Sequence, residues 1–87
     1  MKIKDGFILR EVADSFIVVA VGDAVKNFKG VINLNETGAL LWKTLQNGAE
    51  EKDLIDTLLN NYEVEKELAE KDVLAFIAKL TEAGLIK

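Results

Sequence analysis

The sequence predicts an α+β domain in which a three-stranded antiparallel sheet is followed by three α-helices. Two observations predict this order. The first half carries short runs of β-branched and aromatic residues, which are typical of strands. The second half carries leucine, isoleucine and alanine at spacings of three and four, as expected of amphipathic helices. A chain of 87 residues holds a single core, so we expect one domain over residues 1–87.

Three short runs account for the strands. The run Phe7–Val12 comes first, and a polar turn at 13–15 separates it from a continuous β-branched run at 16–21. A glycine and an aspartate end that run, and the lysine-bearing residues 24–30 are predicted to form a loop. Residues 31–34 form the third strand. Because the links are short, we expect the strands to pair in sequence order as an antiparallel meander.

The passage from the third strand into the first helix is the most informative segment. Asn35 has the short polar side chain that caps helices, and Glu36 brings negative charge to the positive end of the helix dipole. Gly38 lies in the first turn of this helix. The large apolar residues that recur on one side of the helix are Leu41, Trp42 and Leu45. We therefore expect the tryptophan to pack inward and the glycine to permit close approach of its neighbours.

The helices are predicted from their apolar stripes and from the residues that end them. Helix one spans 36–46 and stops at an Asn-Gly pair, a favoured C-terminal signal. Helix two spans 50–60, with acidic residues at its start. Helix three spans 66–83. Gly84 is well placed as the left-handed residue after it, with Leu85 folding back onto the helix.

Composition excludes several classes of function. The chain has no cysteine and no histidine, and its only serine is Ser15, so we expect neither an enzyme nor a metal or cofactor site. The net charge of −4 disfavours nucleic acid as a partner. No apolar run approaches the ~20 residues of a membrane span, and the N-terminus lacks a secretory signal. These features predict a cytoplasmic protein without a membrane partner.

Helix three carries a second apolar feature beside its main stripe. Its members are Leu74, Ile77, Ala78 and Thr81. One interpretation is a wide core face in a small protein. The other is that this flank and the third strand together line a groove for a partner.

Over nearly its whole length the chain resembles the family of pyrroloquinoline quinone biosynthesis protein D (PqqD) and the wider PqqD-like domains, and the resemblance rests on three pieces. The motifs are Leu34-Asn35-Glu36-Thr37-Gly38 followed by Leu41-Trp42, the acidic helix start after Asn47-Gly48, and residues 72–80 closed by Gly84-Leu85-Ile86. The first motif is the most specific. The segment 22–30 departs from the usual family member because it is richer in lysine and lacks a proline.

The resemblance implies a winged-helix-like topology and a function as a non-catalytic recognition element. Such domains bind the leader segment of a ribosomally made precursor peptide as an extra strand on strand three, beside helix three. They present the peptide to a modifying enzyme, often a radical S-adenosylmethionine enzyme. An edge strand without proline, whose outer backbone groups are unprotected, can pair with an added peptide strand in this way, which is called β-augmentation. The peptide-binding residues predicted on this basis are Lys29, Gly30, Val31, Ile32, Asn33, Leu34, Leu74, Ile77, Ala78 and Thr81.

Alternative functions remain open from the sequence. A winged-helix DNA-binding domain or transcriptional regulator would share the topology, although the acidic residues of helix three would repel phosphate. A carrier protein is suggested by Asp14-Ser15-Phe16, but carrier serines open a helix, and Ser15 lies between two strand-like runs. An open apolar edge also permits pairing of two copies, so a homodimer is a further alternative.

Overall fold

The computed structural model describes residues 1–28 and 30–87, and it has the predicted α+β architecture. Three strands precede three helices, with one short 3₁₀ helix between the second and third strands. The elements are β1 (Phe7–Val12), β2 (Ser15–Ala20), the 3₁₀ helix (Gly22–Lys26), β3 (Ile32–Leu34), α1 (Glu36–Gln46), α2 (Glu51–Asn61) and α3 (Lys66–Glu82). Each predicted strand and helix is present, with ends that differ by one residue or match.

The sheet is an antiparallel meander with β2 in its centre, as the short links predicted. Val18 of β2 pairs with Leu9 of β1 and with Ile32 of β3, and its side chain is fully buried. The continuous apolar run of β2 therefore reflects its central place. β1 and β3 are the two edge strands, and each pairs with β2 on one side only.

Residues 22–28, which follow β2, form a more regular structure than the predicted loop. They contain a 3₁₀ helix over Gly22–Lys26. The backbone N–H groups of Asn27 and Phe28 both donate to the carbonyl of Ala24, at 3.1 and 3.0 Å. The Phe28 ring then packs edge-on against Phe7, with 5.3 Å between ring centroids and an 89° interplanar angle. This aromatic contact ties the segment to β1, which local sequence propensity does not anticipate.

The start of α1 confirms the predicted cap and the predicted close approach. The Gly38 N–H donates to Asn35 Oδ1 at 2.7 Å. A Cβ atom on Gly38 would lie 3.2 Å from that oxygen and 3.3 Å from Leu34 Cβ, so even alanine would crowd both neighbours. One turn later, Trp42 is fully buried. The change from strand to helix therefore takes one residue and leaves no slack between β3 and α1.

The end of α3 has the predicted left-handed glycine and the predicted return of Leu85 onto the helix, in the arrangement called a Schellman motif. Gly84 adopts φ +78°, and its N–H donates to Thr81 O at 3.0 Å. The Leu85 N–H donates to Leu80 O at 2.9 Å, and both leucine side chains are fully buried. These two bonds satisfy carbonyls that the helix end would otherwise leave unpaired.

A clasp between the two ends of the described chain completes the core. Ile3 forms an antiparallel bridge with Ile86. The Lys4 N–H donates to Leu85 O and the Lys87 N–H donates to Lys2 O, both at 2.8 Å. We call residues 2–4 and 85–87 the terminal clasp. Its Ile3 side chain is buried in the core cluster, so the clasp covers the core as well as joining the ends.

Candidate functional site

A groove lies between β3 and α3, with the first turns of α1 at its end. Its volume is about 430 Å³. The lining residues from β3 and α1 are Asn33, Leu34, Asn35, Thr37, Gly38 and Leu41, and those from α3 are Asp72, Ala75, Phe76 and Lys79. One wall is thus a strand edge and the other a helix flank, a shape that accommodates an extended chain.

The strand edge offers backbone groups to this groove. The carbonyl of Asn33 accepts a hydrogen bond from Lys79 Nζ at 3.0 Å, so it points away from β2 and toward α3. In an antiparallel pair, the N–H and C=O of one residue point to the same side and successive residues alternate. The Asn33 N–H therefore also faces the groove, whereas Ile32 and Leu34 turn theirs toward β2. Among the described backbone hydrogen bonds of turns, loops and caps, none involves Asn33 or Val31.

The floor of the groove is apolar and its rim is charged. Leu34, Leu41 and Phe76 supply the floor, and each is at least nine-tenths buried. The rim carries one negative side chain, Asp72, and one positive side chain, Lys79, both exposed. The arrangement can hold an extended peptide through backbone hydrogen bonds at its edge and apolar side chains at its floor.

Of the nine predicted peptide-binding residues that the structure describes, two are among the residues that line the groove. Asn33 and Leu34 line the groove directly. Val31 precedes the strand and is 53% exposed, and Gly30 before it has a left-handed backbone. Ile32 is partly buried and packs against the core from the inner face of the sheet. The predicted residue Lys29 lies outside the described residues.

The predicted flank of α3 lies on a different side of the helix from the groove. The groove uses Asp72, Ala75, Phe76 and Lys79. The flank predicted from sequence, Leu74, Ile77, Ala78 and Thr81, has the same spacing but begins two residues later, which turns it by about 200° around the helix. Leu74 is 52% exposed, and Ile77 packs partly against the core. The sequence analysis chose this flank for its hydrophobic residues, whereas the residues that line the groove include a small side chain, Ala75, and two charged ones, Asp72 and Lys79. The signal in the sequence for the groove flank was the pair Asp72 and Lys79, which are seven residues apart and therefore lie on one face of α3.

Other surface features offer less to a ligand. A larger concavity of about 690 Å³ lies beside the β1–β2 turn, and its charged lining residues are Glu11, Asp14, Glu36 and Lys43. The described residues contain no group of His, Cys, Asp or Glu side chains able to hold a metal ion. Ser15 opens β2 beside a turn, and so does not begin a helix. None of the described helices is both long and apolar enough to span a bilayer.

Comparison with known proteins gives one family and two solved structures. The family model described as coenzyme PQQ synthesis protein D (PqqD) matches residues 17–86. The structure of TbiB1 in complex with the TbiA(beta) leader peptide superposes with a TM-score of 0.78 at 21% identity, covering 100% of this chain and 95% of that chain. A lasso peptide synthetase B1 complexed with the leader peptide gives a TM-score of 0.75 at 25% identity, covering 97% and 93%. The comparison with curated proteins gives no match.

Proposed function

Since the chain belongs to the family of coenzyme PQQ synthesis protein D (PqqD), we propose that it is a non-catalytic domain that captures the leader segment of a ribosomally made precursor peptide. The leader adds as a strand to the outer edge of β3, in the groove beside α3. The domain then presents the attached peptide to a modifying enzyme. In this proposal residues 1–87 act as one recognition domain in the cytoplasm, where the precursor is synthesised.

The observation that carries the proposal is the orientation of Asn33. Its N–H and C=O face the groove, and its only described partner there is the flexible side chain of Lys79. A guest strand can therefore exchange a donor and an acceptor with the middle residue of β3 without breaking the sheet. The apolar floor of Leu34, Leu41 and Phe76 supplies a surface for alternate guest side chains.

Two solved structures of similar fold support the choice of guest, because each is a complex with a leader peptide. A non-catalytic role agrees with the composition, which supplies no histidine or cysteine for acid–base or nucleophilic chemistry. The DNA-binding alternative finds no support in these comparisons. Of the acidic residues of α3, Glu67, Asp72 and Glu82 are exposed and Glu70 is partly buried, and their negative charge would repel phosphate.

An isotope-edited titration tests the proposal. The ¹⁵N-labelled protein is titrated with a synthetic leader from the precursor peptide encoded beside this chain. We expect amide shifts concentrated at residues 31–34 and along 72–79, and slower hydrogen exchange of the Asn33 amide in the complex, because that N–H gains a partner. Shifts centred on α2, or no shift with any leader encoded nearby, would contradict the proposal.

A further inference from the structure

Lys79 occupies the acceptor that an added strand needs. Its ammonium lies 3.0 Å from the Asn33 carbonyl, which is the middle acceptor of the β3 edge. A guest strand that pairs with Asn33 brings its own N–H to this oxygen and competes there with the ammonium. We propose that Lys79 thereby makes the groove select leader segments that carry a carboxylate beside Asn33, facing α3. This inference rests on the proposed function and names the kind of leader it takes.

The Lys79 ammonium forms no ion pair with a carboxylate of the described residues. No described Asp or Glu lies within 4.0 Å of Lys79. At the spacings where helix ion pairs form, Ala75 and Ala83 carry no charge, and Glu82, three residues later, lies farther than 4.0 Å from the Lys79 ammonium. Asp72 on the same flank is seven residues earlier, about 10.5 Å along the helix axis. Glu82 is not part of the groove lining, so a guest carboxylate beside Asn33 is the negative partner that would meet the ammonium inside the groove.

The geometry of the sheet indicates which guest residues can supply it. Ile32 and Leu34 turn their side chains toward the helices, and Asn33 turns its side chain away. Opposed residues in a sheet share a face, so the guest residue that pairs with Asn33 also points away from α3. The two guest residues on either side of it point toward α3 and Lys79. A carboxylate at one of these positions replaces the lost carbonyl as the acceptor.

The surroundings of Lys79 strengthen such a pair. A peptide in the groove would lie over the apolar side chains of Leu34, Leu41 and Phe76, which leaves less water around the ammonium than on an open surface. Solvent therefore screens the attraction between the ammonium and a guest carboxylate less than it would on an open surface. A neutral guest side chain accepts a weaker hydrogen bond, and a lysine there repels the ammonium.

The test uses synthetic leaders of the precursor encoded beside this chain, with Glu, Gln or Lys placed in turn at each residue flanking the partner of Asn33. At low salt we expect Glu to bind about three- to fivefold more tightly than Gln at one of the two positions, with Lys weakest. The preference should shrink in 0.5 M salt. In Lys79→Met, which keeps the apolar stem, Glu and Gln should bind equally well.

The matched control is Lys71→Met. Lys71 is an exposed lysine of α3 outside the groove lining, so this variant removes the same charge and should keep the preference for Glu. Equal binding of Glu and Gln leaders to the wild-type protein would overturn the proposed role of Lys79, and so would a preference for Glu that survives in Lys79→Met. Neither result would contradict the proposed function. Failure of every leader to bind would overturn both this role and the proposed function.

Discussion

At the scale of single residues, Asn35 joins the stability of the fold to the shape of the groove. It follows the last residue of β3, its Oδ1 accepts the Gly38 N–H at 2.7 Å, and it lines the groove. Gly38 has no side chain to separate α1 from Leu34. The pair Asn35 and Gly38 thus holds the edge of β3 at a fixed distance from α1.

We expect Asn35→Ala to lower the free energy of unfolding by about 1 kcal/mol, because the first turn of α1 loses its side-chain acceptor. Urea unfolding followed by circular dichroism measures the change. Asn35→Asp is the control, since its carboxylate keeps the acceptor and adds negative charge at the helix start. Equal losses for both variants would show that the cap is not what stabilises this turn.

At the scale of secondary-structure elements, α3 presents two flanks of the same spacing with different neighbours. One flank faces β3 across the groove and contains Ala75 and Lys79. The other contains Leu74 and Ala78 and is largely exposed. β3 itself has only three residues, so a guest strand gains few backbone hydrogen bonds, and its affinity depends on side-chain contacts with α3.

A pair of alanines distinguishes the two flanks. Ala75→Gln should weaken leader binding at least tenfold, because the longer side chain fills part of the groove. Ala78→Gln is the matched control, with the same change on the outer flank of the same helix, and should bind as the wild type does. Both positions are exposed and glutamine is a good helix former, so both variants should fold.

Isothermal titration calorimetry with the leader measures the two affinities. The reverse result, with Ala78→Gln weakened and Ala75→Gln unchanged, would mean that the peptide uses the flank predicted from hydrophobicity. Loss of binding in both variants would indicate a footprint wider than the groove.

At the scale of the whole molecule, the terminal clasp links the beginning of the described chain to its end. The Ile3–Ile86 bridge lies next to the Schellman motif that ends α3, and Leu85 belongs to both. The clasp therefore anchors the C-terminal end of α3. Because α3 forms one wall of the groove, anchoring this helix also fixes the width of the groove.

We expect Ile3→Ala to lower the free energy of unfolding by about 2–4 kcal/mol, because it removes buried methyl groups from the core cluster. Ile8→Ala is the control. Ile8 is a partly exposed residue of β1 outside the set that packs on the core, and its truncation should cost less than about 1 kcal/mol. Thermal and urea unfolding measure both. A loss for Ile3→Ala as small as that for Ile8→Ala would mean that the clasp is not part of the cooperative core.

Local sequence signals predicted several elements because the decisive contacts are close in the chain. The cap of α1 and the Schellman motif after α3 each join residues within five positions of one another. The 3₁₀ helix before β3 was predicted as a loop, because its packing depends on the contact between Phe28 and Phe7, which are 21 positions apart. The terminal clasp was not predicted at all, since residues 2–4 meet 85–87 only after the core has formed.

The sequence by itself determined the order of strands and helices, the abrupt change from β3 to α1, and the family to which the chain belongs. Hydrophobic periodicity and helix capping depend on residues that are close in the sequence, so both can be recognised without the tertiary structure. The tertiary structure alone decided which flank of α3 faces β3 and placed Lys79 on the Asn33 carbonyl. That choice depends on the rotation of a helix packed against a distant strand. A rotation of this kind is set by the whole core and by no single segment.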